Sequence, residues 1–364
     1  MNNRLARLRE IISRENLDAL AVTVPENQLY LSGFNPGHAY LDATLIVSKD
    51  HAWISTDSRY YEDVKQKAKD FKLFEAGYDR NKWVDEFAKE TKPRVVGFEV
   101  NHLTVETFKN WSKAARRGGF KFKPTTSIVN SIRVFKEPDE LAKIKRAVDI
   151  TDGAFAHLVS VIKPGMTEKE GAWIIEKYMR ENGADALAFA IIASGPNAAL
   201  PHAIPTDRKM QRGEPIIIDI GCRVEDYHSD LTRTIILGQA DGQFKKVYDT
   251  VLKAQKTAEK KIREGVRCKR ADAFARNVIE EAGYGKYFGH GLGHDVGLAV
   301  HDGGVRASYT AKPKDILREN MTLTIEPGIY IPGWGGVRIE DLVVVKEDGV
   351  DIFSQASKEP VVMV

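Results

Sequence analysis

At about 150 residues per domain, a chain of 364 residues accommodates two domains or three and can bury a core without disulfide or metal staples. Hydrophobic residues make up 43% of it and charged residues 29%, the balance of a globular protein and not of a disordered one. The formal net charge of +3 gives no general attraction to nucleic acid or to an anionic membrane, so neither is expected as a partner.

The chain opens on Met1–Glu10, charged throughout, without the apolar core of a signal peptide. No run approaches the ~18 apolar residues of a membrane span; a stretch such as Ala186–Ala193 is far too short. A soluble, cytoplasmic protein is the resulting expectation. Leu5, Leu8, Ile11, Ile12 and Leu17 recur at helical spacing and predict an amphipathic first helix. Ala19–Thr23, Ala43–Val47 and His51–Ile54 predict strands, bounded by Pro25–Asn27, Gly33–Gly37 and Lys49–Asp50. Glu62–Lys69 predicts a helix, Arg94–Phe98 a buried strand and Thr104–Ala115 a further helix. Such alternation marks residues 1–128 as an α/β domain.

Phe135–Glu140 predicts a boundary, with Pro138 at a helix start and Asp139 and Glu140 in its first turn. Leu141, Ile144, Ala147, Val148 and Ile150 continue as a helical stripe, and Thr167–Glu170 matches a capping box opening a helix to Asn182. From Leu187 the pattern is largely strand, interrupted by helices at Phe244–Glu264 and Ala271–Ala282. No short-period repeat, low-complexity tract or coiled coil is evident. Cys222 and Cys268 lack the spacing of a zinc site. One long-range disulfide is conceivable, but two reduced, buried thiols are expected.

Two pairs of carboxylates stand out. The largely apolar run Glu214–Cys222 carries Asp219, and Asp230 follows eleven residues later, across a polar stretch Arg223–Asp226. A hairpin centred there sets the two aspartates roughly opposite on one face. The strand Met321–Ile325 ends at Glu326, the strand Arg338–Val345 carries Glu340, and the two glutamates are symmetric about Gly333. Facing like charges destabilise a hairpin unless something neutralises them. Either pair alone is best read as exposed or ion-paired; two such pairs, each at the end of an apolar strand, point to a shared cation site. Four carboxylates balance two divalent cations, with a bridging hydroxide as the extra anion. Phe288–Asp302 adds His290, His294 and His301 among glycines that permit close backbone approach. An imidazole beside carboxylates suits zinc, manganese, cobalt or iron more than magnesium or calcium. His202 lies in a loop stiffened by Pro196, Pro201 and Pro205. Cys222, three residues from Asp219, belongs to the opposite strand face and reads as core.

Asp219, Asp230, His294, Glu326 and Glu340, with spacings of 11, 64, 32 and 14, resemble the five-ligand set of the pita-bread dinuclear metallopeptidases, which include methionine aminopeptidase, aminopeptidase P and prolidase. Ile218–Gly221, Ser229–Thr234, Gly293–His294, Thr324–Gly328 and Gly336–Glu340 match in order, and the resemblance covers nearly all of residues 138–358. Tyr30–Phe34, Thr56–Tyr60 and Gly97–Glu99 resemble the creatinase/prolidase-type N-terminal domain. With His290 four residues before His294, the resemblance points to the proline-directed branch, Xaa-Pro aminopeptidases and Xaa-Pro dipeptidases. The implied architecture is an α/β creatinase-like domain followed by an α+β pita-bread catalytic domain. The resemblance also implies two divalent ions per chain (manganese, cobalt or zinc), a peptide or dipeptide substrate and a homodimer. It assigns Asp219 to one ion, His294 and Glu326 to the other, and Asp230 and Glu340 to both.

The same resemblance gives Glu326 a second role as proton shuttle. It sets His290 and His301 to steady the substrate and the developing oxyanion, and His202 near the scissile nitrogen. Arg338 either orients a carboxylate of the site or substrate or serves as a counter-ion. Asp295 departs from the pattern, since many relatives have glycine after the metal-binding histidine; its carboxylate either supports the site or points to solvent. The competing expectations are a metal-free creatinase-like hydrolase and a non-catalytic binding protein, both of which the intact ligand set disfavours. Dipeptidase and aminopeptidase preferences are not separable from the residues.

Overall fold

The computed structural model describes residues 3–35, 37 and 42–363; Met1, Asn2 and Pro36, which fall in segments discussed above, lie outside them. The chain divides into two compact units, one ending at Arg133 and the other beginning at Val134. The first contains α1 (Asn3–Arg14), β1 (Ala19–Val22), α2 (Pro25–Ser32), β2 (Ala43–Ser48), β3 (Ala52–Thr56), α3 (Tyr61–Lys67), β4 (Lys72–Glu75), α4 (Lys82–Thr91), β5 (Val95–Glu99), α5 (Val105–Arg117), β6 (Lys121–Thr125) and α6 (Asn130–Arg133). Among the described residues, six strands form one mixed sheet in the order β4-β3-β2-β1-β5-β6. Trp83 and Phe87 of α4 and Trp111 of α5 pack on it beside Phe98 and Phe122.

The unit adds a helix to what the sequence showed. Pro25–Asn27, expected as the bound of the first strand, also opens α2, with Pro25 at a first-turn position, where its missing N–H costs nothing. Apolar periodicity could not show this helix because its buried face mixes Tyr30 and Leu31 with the polar Asn27, Gln28 and Ser32. Asn27 donates to Glu99, and Gln28 donates to the carbonyls of Val22 (3.0 Å) and Ala43 (2.8 Å). Glu99 in turn accepts the backbone N–H groups of Thr23 and Val24, both at 2.7 Å.

The second unit contains α7 (Pro138–Val161), α8 (Glu168–Glu181), β7 (Ala186–Ser194), β8 (Pro215–Val224), β9 (Tyr227–His228), β10 (Leu231–Leu237), α9 (Gly242–Lys261), α10 (Cys268–Glu281), β11 (Gly293–His294), β12 (Arg306–Ala307), β13 (Thr322–Ile325), β14 (Gly328–Ile331), β15 (Gly335–Arg338), β16 (Asp341–Val345), β17 (Val350–Ile352) and β18 (Val361–Val362). The expected capping box is present: Thr167 accepts from the N–H of Glu170, whose side chain returns to the N–H of Thr167. α10 begins three residues before the expected Ala271, because its N-cap, Arg267, makes no side-chain cap to mark the start.

A helix–turn–helix unit occurs twice at an offset of 100 residues, outside the range of the short periods sought in the sequence. Ile162 and Gly165 join α7 to α8 as Ile262 and Gly265 join α9 to α10. Gly183 and Gly283 follow the second helices, and all four glycines have positive φ. Each helix pair covers its own strands. Ile216, Ile218, Ile220 and Cys222 of β8 pack on α7 and α8; Leu323 and Ile325 of β13 and Val343 and Val345 of β16 pack with α9 and α10. Because side chains alternate along a strand, β8 turns Ile217 and Asp219 to the opposite face. That alternation separates the core from the site.

Cys222 and Cys268 are buried and unpaired with each other, as expected of reduced thiols. Burial raises both thiol pKa values, that of Cys268 to about 12. Neither is expected to react with a disulfide reagent in the native protein, and both should appear on denaturation. A fast native-state thiol titration would contradict this burial.

Candidate metal centre

β8 and β10 form an antiparallel hairpin in which Asp219 faces Thr232 and Ile220 faces Leu231. The turn lies at Glu225–Asp226, both with positive φ (47° and 68°), one residue later than the expected centre. Asp219 and Asp230 are therefore diagonal neighbours on one face, not direct opposites. Thr232, the direct partner, donates to Glu340 Oε2 at 2.7 Å. The N–H of Glu340 donates to the Thr232 carbonyl at 3.0 Å, joining the first hairpin to the second.

The second hairpin follows the expected symmetry. β13 pairs with β16 up to Ile325↔Asp341, and β14 pairs with β15 from Gly328↔Arg338. Glu326 and Glu340 hold matching register positions between the two ladders. His294 arrives on β11, seated against β13. A Cβ on Gly293 would fall 1.9 Å from the Thr324 carbonyl oxygen, so only glycine permits the approach. The Thr324 hydroxyl accepts from the His294 N–H (3.0 Å) and donates to Glu326 Oε1 (3.1 Å).

The His294 ring has a defined tautomer. Nδ1 faces the Asp295 carbonyl at 3.1 Å and must carry the hydrogen, leaving an Nε2 lone pair. Nε2 lies 3.4 Å from Glu326 Oε1 and 3.7 Å from Asp230 Oδ2. One ligand atom each from Asp230, His294 and Glu340 lies within 4.8 Å of the others. Asp219 Oδ2 accepts from Arg338 Nη2 at 2.5 Å, whereas its buried Oδ1 has no partner. An orphaned carboxylate oxygen beside three further carboxylates and a neutral imidazole fits divalent cations, which would satisfy it and offset the clustered charge. Without cations, burial and neighbouring carboxylates push Asp230 and Glu340 well above the usual range. Burial, with a smaller contribution from Asp219, pushes Glu326 up to about 7. Burial, with His301 adding to it, lowers His294 to about 3.

One cavity, of about 1000 Å³, is lined by all nine residues expected as ligands or catalytic groups: His202, Asp219, Asp230, His290, His294, His301, Glu326, Arg338 and Glu340. The His301 ring meets the His294 ring edge-on at 4.0 Å. His290 Nδ1 donates to the Gly291 carbonyl, so its Nε2 accepts from the Tyr330 hydroxyl at 2.8 Å. Tyr330 in turn accepts from Arg338 Nη1 at 2.9 Å. Asp295 is buried, and its carboxylate accepts from the Gly304 N–H at 2.8 Å. It braces the loop that carries His301 and does not face solvent.

Sequence reasoning missed Tyr330, Thr232 and Thr324. Thr232 and Thr324 stand two residues from Asp230 and Glu326, and Tyr330 stands four residues from Glu326, so extending the alternation by one or two steps would have found them.

Comparison with known proteins agrees with this geometry. Residues 4–135 match the creatinase/prolidase N-terminal domain and residues 142–347 match metallopeptidase family M24. The Xaa-Pro dipeptidase of Pyrococcus furiosus is 35% identical over 99% of both chains. Among solved structures, an Xaa-Pro dipeptidase from Bacillus anthracis superposes with a TM-score of 0.91 at 34% identity, covering 100% of this chain and 99% of its own. An X-Pro aminopeptidase from Thermotoga maritima gives 0.88 at 36% identity, with 99% of each chain covered. The expected architecture, a creatinase-type N-terminal domain followed by a pita-bread catalytic domain, is the one these structures share. The chain belongs to metallopeptidase family M24.

Proposed function

We propose that this protein hydrolyses the peptide bond preceding proline, in dipeptides or at the N-terminus of longer peptides, with two divalent cations held by Asp219, Asp230, His294, Glu326 and Glu340. The observation that carries the proposal is the convergence of these five side chains, with Asp219 Oδ1 left unsatisfied. The relatives named for Xaa-Pro peptidase activity support the substrate class. When bound, the cations supply a nucleophile near neutral pH by acidifying water.

The chain's own residues do the rest. Arg338 fixes Asp219 through Oδ2 and so aims Oδ1 into the cavity. Glu326 takes the proton of the attacking water and passes it to the prolyl nitrogen. His301 steadies the carbonyl oxygen, His290 holds the Tyr330 hydroxyl by accepting from it, and His202 contacts the substrate near the scissile bond. The finer elements of the proposal are manganese, cobalt or zinc as the metal, a homodimer and a cytoplasmic setting.

Protein stripped and reloaded with manganese, cobalt or zinc is expected to cleave Ala-Pro, Ala-Pro-Ala or both, and a chelator should abolish the activity. Cleavage of neither peptide overturns the proposal. Full activity in chelated protein would replace it with metal-free hydrolysis.

Metal loading should also release protons. At about pH 6, Glu326, with a pKa of about 7, holds a proton that a cation displaces, and the raised pKa values of Asp230 and Glu340 act in the same direction, whereas His294, with a pKa of about 3, has none to lose. Apparent affinity therefore falls as pH drops below about 7. Calorimetry in buffers of different ionisation enthalpy reads the release, and proton-neutral binding would contradict it.

A further inference from the structure

We infer that Glu168 is a positioning residue for His202, setting the loop that brings this histidine to the substrate; the inference rests on the hydrolytic reading above. Glu168 is the first residue of α8 and is fully buried, and a charge so buried requires partners. Oε1 accepts from the Ser194 N–H (2.8 Å), the Ser194 hydroxyl (2.8 Å) and Asn197 Nδ2 (3.1 Å). Oε2 accepts from Asn197 Nδ2 (3.1 Å), the Thr206 N–H (3.0 Å) and the Thr206 hydroxyl (2.7 Å). Ser194 ends β7, and Thr206 lies four residues beyond His202. One carboxylate thus ties both feet of the loop whose crest is Pro201–His202.

None of these bonds serves α8 itself, so helix capping does not account for them. Apolar packing does not hold the crest either. Leu200 and Ile204, on either side of His202, are 58% and 81% exposed, and the apolar side chains of the loop that are buried, against Ile217 and Tyr330, are the small Ala198 and Ala203. The loop is seated on the site at its other side. A Cβ on Gly336 would fall 2.1 Å from the Ala198 carbonyl oxygen, and Arg338 Nη1 lies 3.4 Å from the Pro201 carbonyl oxygen. The polar clamp at its feet therefore sets where His202 stands relative to Arg338 and the carboxylates.

Glu168→Gln keeps the shape but turns an NH₂ group toward N–H donors, breaking half the clamp. With the metal-loaded enzyme and whichever of Ala-Pro or Ala-Pro-Ala the wild type cleaves, kcat/KM is expected to fall about 10- to 100-fold, the range for supporting hydrogen-bond partners. Bound metal should be unchanged. In a His202→Ala background the same substitution should cost less than about 3-fold, since the two side chains act through one loop. Amide hydrogen exchange across residues 195–206 should quicken while that of β8 does not. If Glu168→Gln fails to fold, Thr206→Val, which removes one of the donors to Glu168 together with the acceptor of the Arg208 N–H, is read by the same cycle with a smaller loss.

A full loss that persists without His202 overturns the inference, as does wild-type kcat/KM in Glu168→Gln. If the wild type cleaves neither peptide, the hydrolytic reading fails instead. The exchange measurement still decides the clamp in that case, and unchanged protection in Glu168→Gln overturns it.

Discussion

Asp230→Asn is expected to lower kcat/KM by at least about 10³-fold, roughly 4 kcal/mol of transition-state stabilisation, and to leave the protein binding at most one ion. The substitution keeps the side-chain shape within β8–β10 and removes one anion from a site where Asp230, Glu340, Glu326 and Asp219 repel one another. That repulsion gives the variant an opposite signature in stability. In stripped protein, burial and the neighbouring carboxylates disfavour a charged Asp230, so the neutral asparagine should leave the melting temperature unchanged or higher. Saturating metal stabilises the wild type by mass action on the folded state; in Asp230→Asn most of that increment should vanish. Activity within about tenfold of wild type, with the metal-dependent melting shift intact, would show that Asp230 is not a ligand.

The site was legible because its chemistry is written on strands. An ionisable residue at the end of an apolar run, repeated across a turn, has few bland explanations when it occurs twice, and the symmetry about Gly333 gave the register of Glu326 and Glu340 correctly. The first hairpin was shifted because Glu225 and Asp226 adopt left-handed backbone without a glycine to announce it. In the N-terminal unit, periodicity failed where the buried face is partly polar, as in α2, and where strands lie exposed. β4 and β6 carry Lys72, Lys121 and Lys123 in the sheet's outer positions and show no clean alternation. The repeat that relates α7–α8 to α9–α10 survives mainly in turn glycines and an isoleucine, too few to register without the backbone. The contacts of Arg338 with Asp219 and of Glu168 with Ser194 join side chains more than 20 residues apart in sequence, which spacing cannot reveal.

Arg338→Lys and Arg338→Met should separate the geometry of that guanidinium from its charge. Arg338 is buried and fixed by three donors at once: Nη2 to Asp219, Nη1 to Tyr330 at 2.9 Å and Nε to Thr232 at 3.1 Å. Lysine keeps the charge but offers a point in place of a fork, so it can hold Asp219 or Tyr330 but not both in their present positions. Misplacing Asp219 Oδ1, or releasing the Tyr330 hydroxyl from His290, should cost about 10- to 100-fold in kcat/KM or in metal affinity, with the stripped protein nearly as stable as wild type. Methionine removes the cation and leaves Asp219 buried among like charges. Breaking a buried pair in this way costs about 3–5 kcal/mol, and that loss should appear in stripped protein as a lower denaturant midpoint. Saturating divalent metal should restore much of it, because the ions supply the missing positive charge. If Arg338→Met were as stable as wild type without metal, the guanidinium would not be the counter-ion that makes this carboxylate cluster tolerable. Its contact with Asp219 would then matter only for orientation.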